Sequence, residues 1–420
     1  MSDKQPTGLA GNEPVHLRIR GGKELKGIIT LKTSKNAAVG LLCASLLNHG
    51  VTTLRSIPRI EEVFRMVEVL ESIGVEVMWL PENDLEIRRP EKLLLENLDG
   101  VAAGMTRSVL LLIGSLMHEA DSFRIPFAGG CKLGDRTVEP HLLALKEFGA
   151  DIVATEDSYH VTTSRQSAPE RIALYEAGDT VTENALLAAA CSDGETQIDF
   201  ASANYMVQDL CFFLQELGVK VEGIGTSSLR ITGVSHVRKN ATYSPAEDPI
   251  EAMFFIAAAV TTNSEITIRR VSTDFVTMEL LKLRKMGLGV TETPRYKAEN
   301  GQTDLVDLTV HKHDGQLRAL TDKIHPLPYP GLNADNLPYF VPIAAVARGF
   351  LVTGPTEFEP ADVACPPALR PASLLLIGML AAPGTSTLRN VYPIERGYED
   401  LAGRLNTLGA DITAQGDASK

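Results

Sequence analysis

Residues 207–221 read VQDLCFFLQELGVKV. Apolar side chains recur at helical spacing as far as Leu217, Gly218 interrupts them, and valines flank Lys220. A glycine just past a helix can enter the left-handed region that ends it, and the β-branched residues after it open a strand. The same text returns as VFRMVEVLESIGVEV at 63–77, HLLALKEFGADI at 141–152, VTMELLKLRKMGLGV at 276–290 and YEDLAGRLNTLGADI at 398–412. Five copies of one helix–glycine–strand element mark a repeat protein, so the fold follows from what stands between the copies.

Between them lie apolar runs rich in small residues: LLCASLL from Leu41, SVLLLIGSL from Ser108, ALLAAACS from Ala185, AMFFIAAAV from Ala252, YFVPIAAVA from Tyr339 and SLLLIGMLAA from Ser373. They are too alanine-rich and unbranched for good strands, which makes them buried helices. Six such helices imply six units, each read as β-α-β-α-β-β. The fifth is short: YFVPIAAVARG runs straight into FLVTG near 345–355, with no second helix. By comparison with its siblings it lacks an element of about 30 residues. Three units make a domain of ordinary size, and the polar, turn-forming NATYSP at 240–245 is the break. The expected fold is α/β, with two pseudo-symmetric domains, apolar helices inside, sheets outside and a cleft between the domains. The first spans 35–241; the second begins at 242 and runs to 420, after a flexible tail at 1–14.

The 420 residues carry a formal net charge of −13 with basic residues scattered along the chain, so no cationic stripe tracks a phosphate backbone and nucleic acid is not an expected partner. Five cysteines, an odd number without CxxC or Cys/His ligand spacing, point to free thiols in a reducing compartment and to no metal. The polar N-terminus has no apolar signal core, and no apolar run approaches the ~18–20 residues that span a bilayer. A cytoplasmic protein without membrane attachment is expected. The sequence has no GxxxxGK[ST], GxSxG or HExxH, and GIGTSS at 223–228 lacks the third glycine of a dinucleotide turn.

Isolated polar clusters remain. TSKNAA at 33–38 precedes the first apolar helix, where Thr33 or Ser34 can cap. Lys35 in that first turn opposes the helix dipole unless an anion sits there. In FAGGCKLGDR at 127–136, Lys132 and Arg136 would favour the Cys131 thiolate if they face it; the alternative is a surface loop with an incidental thiol. Arg370 in ALRPAS and Arg396 in YPIERGYED stand near helix starts, where each needs an anion or a neighbouring carboxylate. Asp335 in YPGLNADNLPYF reads as the cap of the fifth apolar helix.

Taken together, SKNA, GGCKLGDR, TEN at 182–184, YPGLNAD and ERGYED, spread over six units, resemble the enolpyruvyl transferases from about Val15 onward. The lysine–asparagine pair and the loop cysteine are similar to the branch that uses UDP-N-acetylglucosamine rather than shikimate 3-phosphate. The resemblance implies two inside-out α/β barrels, with residues 15–34 belonging to the second domain. It also implies transfer of the enolpyruvyl group of phosphoenolpyruvate to the 3-hydroxyl of UDP-N-acetylglucosamine, releasing phosphate, in the first committed step of peptidoglycan precursor synthesis. No metal or redox cofactor is implied, and the protein is expected to be a monomer.

Carried over by position, Lys35, Arg136 and Arg396 hold phosphoenolpyruvate, with Arg370 and Arg107 nearby. Asn36, Arg107, Glu139, Thr180 and Asp335 meet the acceptor. Asp335 takes the hydroxyl proton, Lys35 also serves catalysis, and Cys131, on a mobile loop at 127–137, is proton donor or nucleophile. The chain also departs from the family. Its loop arginine is followed by Thr137-Val138-Glu139-Pro140-His141 where the family has Pro-Val-Asp-Leu-His. Glu176 stands near the acceptor's pyrophosphate where lysine is common, and Gly178, Asp179 and Thr180 replace a serine-valine-glycine. Ala368 replaces an aspartate ahead of Arg370. Other acceptors, either a different nucleotide or an anionic alcohol, and a non-catalytic ligand-binding role are the alternatives.

Overall fold

The computed structural model describes residues 14–127, 138–164, 167–315, 317–348 and 356–416. All five glycine-stopped helices form, as Glu61–Ser72, Glu139–Glu147, Tyr205–Leu217, Thr277–Lys285 and Leu401–Thr407. Behind them Gly74, Gly149, Gly218, Gly287 and Gly409 take φ values of 92°, 91°, 97°, 101° and 95°. That left-handed conformation disfavours any residue with a Cβ, which is why one glycine recurs at one place.

The apolar runs are helices too: Lys35–Ser45, Asp179–Ala190, Pro249–Thr261, Phe340–Val346 and Leu369–Ala381. The run from Ser108 lies in a 3-10 segment, Arg107–Leu111, that continues as the helix Leu112–Leu116. All residues of Pro249–Thr261 are buried, and Phe340–Val346 and Leu369–Ala381 pack against it. Elsewhere Lys35–Ser45 packs on Tyr205–Leu217, and Leu112–Leu116 on Asp179–Ala190. The last two approach so closely that a Cβ on Gly114 would lie 2.6 Å from the Asn184 carbonyl oxygen.

The chain passes between two units at Lys32/Thr33 and Ala246/Glu247. These edges lie two and five residues from the sequence boundaries. Ser34 N donates to Ala246 O (2.8 Å), and Tyr243 donates its hydroxyl to Asp209 Oδ1 (2.6 Å), which ties both connecting segments into the 33–246 unit.

The fold is mixed α/β, and every sheet formed by the described residues is open. The 33–246 unit has three. Their strand orders are Ala241–Tyr243, Val51–Leu54, Leu85–Arg88, Glu76–Trp79; then Ser122–Pro126, Ser158–Thr163, Ala150–Ala154; then Lys220–Glu222, Ser228–Thr232, Glu195–Asp199, Arg171–Ala173. In the other unit, Lys26–Thr30 runs parallel to Glu265–Val271 at the edge of one sheet. His16–Gly21 lies inside another, antiparallel to both Gly384–Arg389 and Ile412–Gln415.

The fifth unit builds no sheet among the described residues. Its start survives as one parallel bridge, Arg318 to Arg348, in which Arg348 N donates to Leu317 O and Ala319 N to Arg348 O, both at 2.8 Å. This is where the sixth unit sets Asp362–Ala364 parallel to Gly384–Arg389 and continues into a full sheet. Phe340–Val346 buries only Phe340, Pro342 and Ile343 and leaves Val341 62% exposed.

Candidate active site

In the 33–246 unit, Ser34 caps the Lys35–Ser45 helix by accepting from Ala37 N at 3.2 Å. Lys35, next in sequence, finds the anion that its position requires inside the protein: Nζ donates to Glu62 Oε2 at 3.1 Å. Thr106 and Ser108 hydroxyls donate to Glu62 Oε1, each at 3.1 Å, so the carboxylate holds the lysine from a braced position. The lysine was expected to await a ligand anion; instead Glu62 aims an ammonium whose remaining N–H groups can bind a second one. Asn36 donates its amide to the Tyr205 hydroxyl at 3.0 Å. Arg107 opens the 3-10 segment and acts electrostatically on both His141 and Tyr159.

Thr180 lies exposed in the first turn of Asp179–Ala190, with Oγ1 3.2 Å from His141 Nε2. Glu139 is exposed at the start of Glu139–Glu147. His141 itself is buried, which together with the Arg107 cation pushes its pKa down to about 4. Cys131 and Arg136 lie outside the described residues, as does the loop read as mobile apart from Phe127.

The other unit gathers Asp335 and Arg370. Asp335 does not cap a helix as expected: the 3-10 turn Leu337–Tyr339 that leads into Phe340–Val346 has no side-chain cap. Its carboxylate instead pairs with Arg370, Oδ2 to Nη2 at 3.3 Å, and is 41% exposed. Arg370 is largely buried and donates Nη1 to the Tyr398 hydroxyl at 3.1 Å; Tyr398 in turn meets the Tyr339 hydroxyl. Arg396, half-buried, stands two residues before Tyr398, at the end of the short helix Tyr392–Glu395. The arrangement presents a half-exposed carboxylate whose orientation is set by a guanidinium, itself set by a tyrosine.

Asp248 caps Pro249–Thr261, accepting from Ile250 N at 2.8 Å. Burial raises its pKa to about 6; Arg370 opposes that rise and Glu251 adds to it. The folded protein therefore favours the protonated carboxyl, a contribution complete below about pH 4 and lost as the pH rises towards 6. Asp248→Asn retains a good cap and removes the loss. Denaturant unfolding should find the variant gaining on the wild type by up to about 3 kcal/mol between pH 4 and pH 7. Parallel pH profiles would show that the group titrates alike in both states.

Sequence reasoning missed Glu62, Thr106, Ser108, Tyr339 and Tyr398 as partners. Only Glu62 left a trace, as an acid opening an amphipathic helix after Ile60.

The EPSP synthase family model, 3-phosphoshikimate 1-carboxyvinyltransferase, matches residues 19–359. UDP-N-acetylglucosamine 1-carboxyvinyltransferase of Deinococcus deserti is 31% identical over 425 residues, covering 95% of this chain and 97% of that protein. The enzyme numbered 1 under the same name in Symbiobacterium thermophilum is 30% identical, covering 94% of each. Among solved structures, the enolpyruvyl transferase NikO from Streptomyces tendae superposes with a TM-score of 0.79 at 22% identity, covering 97% of this chain and 100% of that one. An EPSP synthase from Acinetobacter baumannii gives 0.69 at 17%, covering 96% and 100%. Repeat architecture, motif positions and likeness along nearly the whole length agree: the chain belongs to the EPSP synthase family of enolpyruvyl transferases.

Proposed function

We propose that this protein transfers the enolpyruvyl group of phosphoenolpyruvate to the 3-hydroxyl of UDP-N-acetylglucosamine, releasing phosphate, in the step that commits the sugar to peptidoglycan precursors. The observation that carries the reading is near full-length similarity to several enzymes of that name. The Glu62-held lysine and the arginine-held aspartate support it. Each unit is read as an inside-out barrel of separate sheets around its helices, the second with its fifth unit cut short, and the protein as a monomer.

In the addition step the sugar hydroxyl oxygen bonds to C2 of phosphoenolpyruvate, its proton passes to Asp335, and the C3 methylene gains a proton from the Cys131 thiol. In the elimination step the Cys131 thiolate takes back a C3 proton, the C2–C3 double bond returns, and the C2–O bond to phosphate breaks, the phosphate leaving with the electron pair. Lys35, Arg136 and Arg396, with Arg370 and Arg107, offset the carboxylate and phosphate charges of the donor. Asn36, Glu139 and Thr180 meet the acceptor.

A second reading changes the acceptor to another nucleotide. It is favoured by Glu176, whose Oε1 lies 3.0 Å from where a Cβ on Gly178 would stand, so that an acid borders the turn read as the pyrophosphate side. Phosphate release from phosphoenolpyruvate, measured with UDP-N-acetylglucosamine, UMP and shikimate 3-phosphate, separates the readings. Turnover is expected with UDP-N-acetylglucosamine. A strong preference for UMP would move the acceptor, and no release with any of the three would make the chain a binding protein.

A further inference from the structure

Thr180 and Asn184 stand four residues apart on Asp179–Ala190 and so share one face, which meets His141 on the neighbouring helix. The Asn184 amide has one orientation only. Its Oδ1 accepts from Gly114 N at 2.9 Å and its Nδ2 donates to Leu110 O at 2.9 Å; turning it over would set donor against donor and oxygen against oxygen. Nδ2 also lies 3.1 Å from His141 Nδ1. An amide nitrogen can only donate, so Nδ1 must offer a lone pair and His141 carries its single proton on Nε2. That proton points at Thr180 Oγ1, 3.2 Å away. Thr180 therefore accepts from the ring, and its own hydroxyl hydrogen meets no acceptor among the described residues.

We propose that Asn184 and His141 are positioning residues that lock Thr180 as a hydrogen-bond donor to an anionic oxygen of the acceptor nucleotide. The role rests on the acceptor reading given above. The ring N–H occupies one lone pair of the Thr180 oxygen and turns the hydroxyl hydrogen away from His141, so that hydrogen stands ready for an anion without a reorientation step.

The test uses the full chain with 15N-labelled histidine and calorimetric binding of UDP-N-acetylglucosamine and, separately, UMP. The His141 signals should show a bare Nδ1 and a protonated Nε2, whatever the substrate. Thr180→Val should weaken binding about tenfold or more, whereas Thr180→Ser, which keeps the hydroxyl, should bind nearly as the wild type. In Asn184→Asp the carboxylate draws the proton to Nδ1, Nε2 becomes an acceptor, and Thr180 turns its hydrogen inward. That variant should lose affinity in the wild-type background and little more in Thr180→Val. A proton on Nδ1 in the wild type overturns the relay while leaving the functional reading intact. Multiplying losses in the double variant, or equal binding by Thr180→Val and Thr180→Ser, would also overturn it. Failure of both nucleotides to bind the wild type overturns the functional reading and the relay with it.

Discussion

Asp335→Asn is expected to lower kcat by about 10²- to 10⁴-fold in a protein that still folds. The substitution is isosteric, so shape at the site is preserved while the proton acceptor is removed. Stability should change little, because the side chain is 41% exposed and an ion pair with one half-exposed member contributes only about 1 kcal/mol or less. Arg370 also keeps its bond to Tyr398 and the influence of the Asp248 carboxyl. The Michaelis constant for phosphoenolpyruvate should move far less than kcat, since the lost interaction serves proton transfer rather than ground-state binding. The measurement is steady-state phosphate release with unfolding curves on the same preparations. A variant that turns over within a few-fold of the wild type would leave Asp335 an orienting partner of Arg370 and nothing more.

Arg404→Met is expected to destabilise the unit containing it by about 3–5 kcal/mol. Arg404 sits on Leu401–Thr407 and pairs through both guanidinium nitrogens with Glu251 on the wholly buried Pro249–Thr261 helix, Nη2 reaching Oε2 at 3.0 Å. The same Nη2 donates to Thr30 O at 2.9 Å, and Lys32 N donates to Glu251 Oε2 at 2.8 Å. One fork thus joins the end of Lys26–Thr30, the central helix and the last helix, with its guanidinium 5.2 Å from the Phe255 ring. Removing the cation strands a carboxylate whose side chain is only 3% exposed. Arg404→Lys keeps the charge but loses the bidentate fork, and should fall between. Pairing Arg404→Met with Glu251→Leu should restore most of the loss, because the stranded charge leaves with its partner. Denaturant unfolding of the wild type, Arg404→Met, Glu251→Leu and the double variant gives the coupling energy, and a cost of Arg404→Met under about 1 kcal/mol would contradict the account.

The periodic part of the fold was legible in the sequence because it depends on local chemistry. Gly218 and its four counterparts stop helices by a backbone conformation that glycine tolerates, and the text announces them. What neighbours could not reveal was partnership across the chain. Nothing near Lys35 says that its anion is Glu62, 27 positions on. Asp335 is the clearest miss, since the residue type and the apolar run after it spell a cap, yet a cationic partner 35 positions away takes the carboxylate instead. The tyrosines 339 and 398 read as ordinary core residues and are also hydroxyl donors and acceptors around Arg370. The expected thiol and loop arginine, Cys131 and Arg136, lie in a segment outside the described residues.

The seating of His16–Gly21 between Gly384–Arg389 and Ile412–Gln415 has a consequence for biosynthesis. Asn390 N donates to His16 Nδ1 across 374 positions, so the strand finds its place only after the residues that flank it in the sheet have been made. Residues 33–246 are contiguous and can settle on the nascent chain, while the opening strand waits with its ladder groups unmet. Closing a loop of that size is a slow, entropically costly event, which makes the sheet of the sixth unit the natural last step of maturation and the point at which a chaperone would have most to protect.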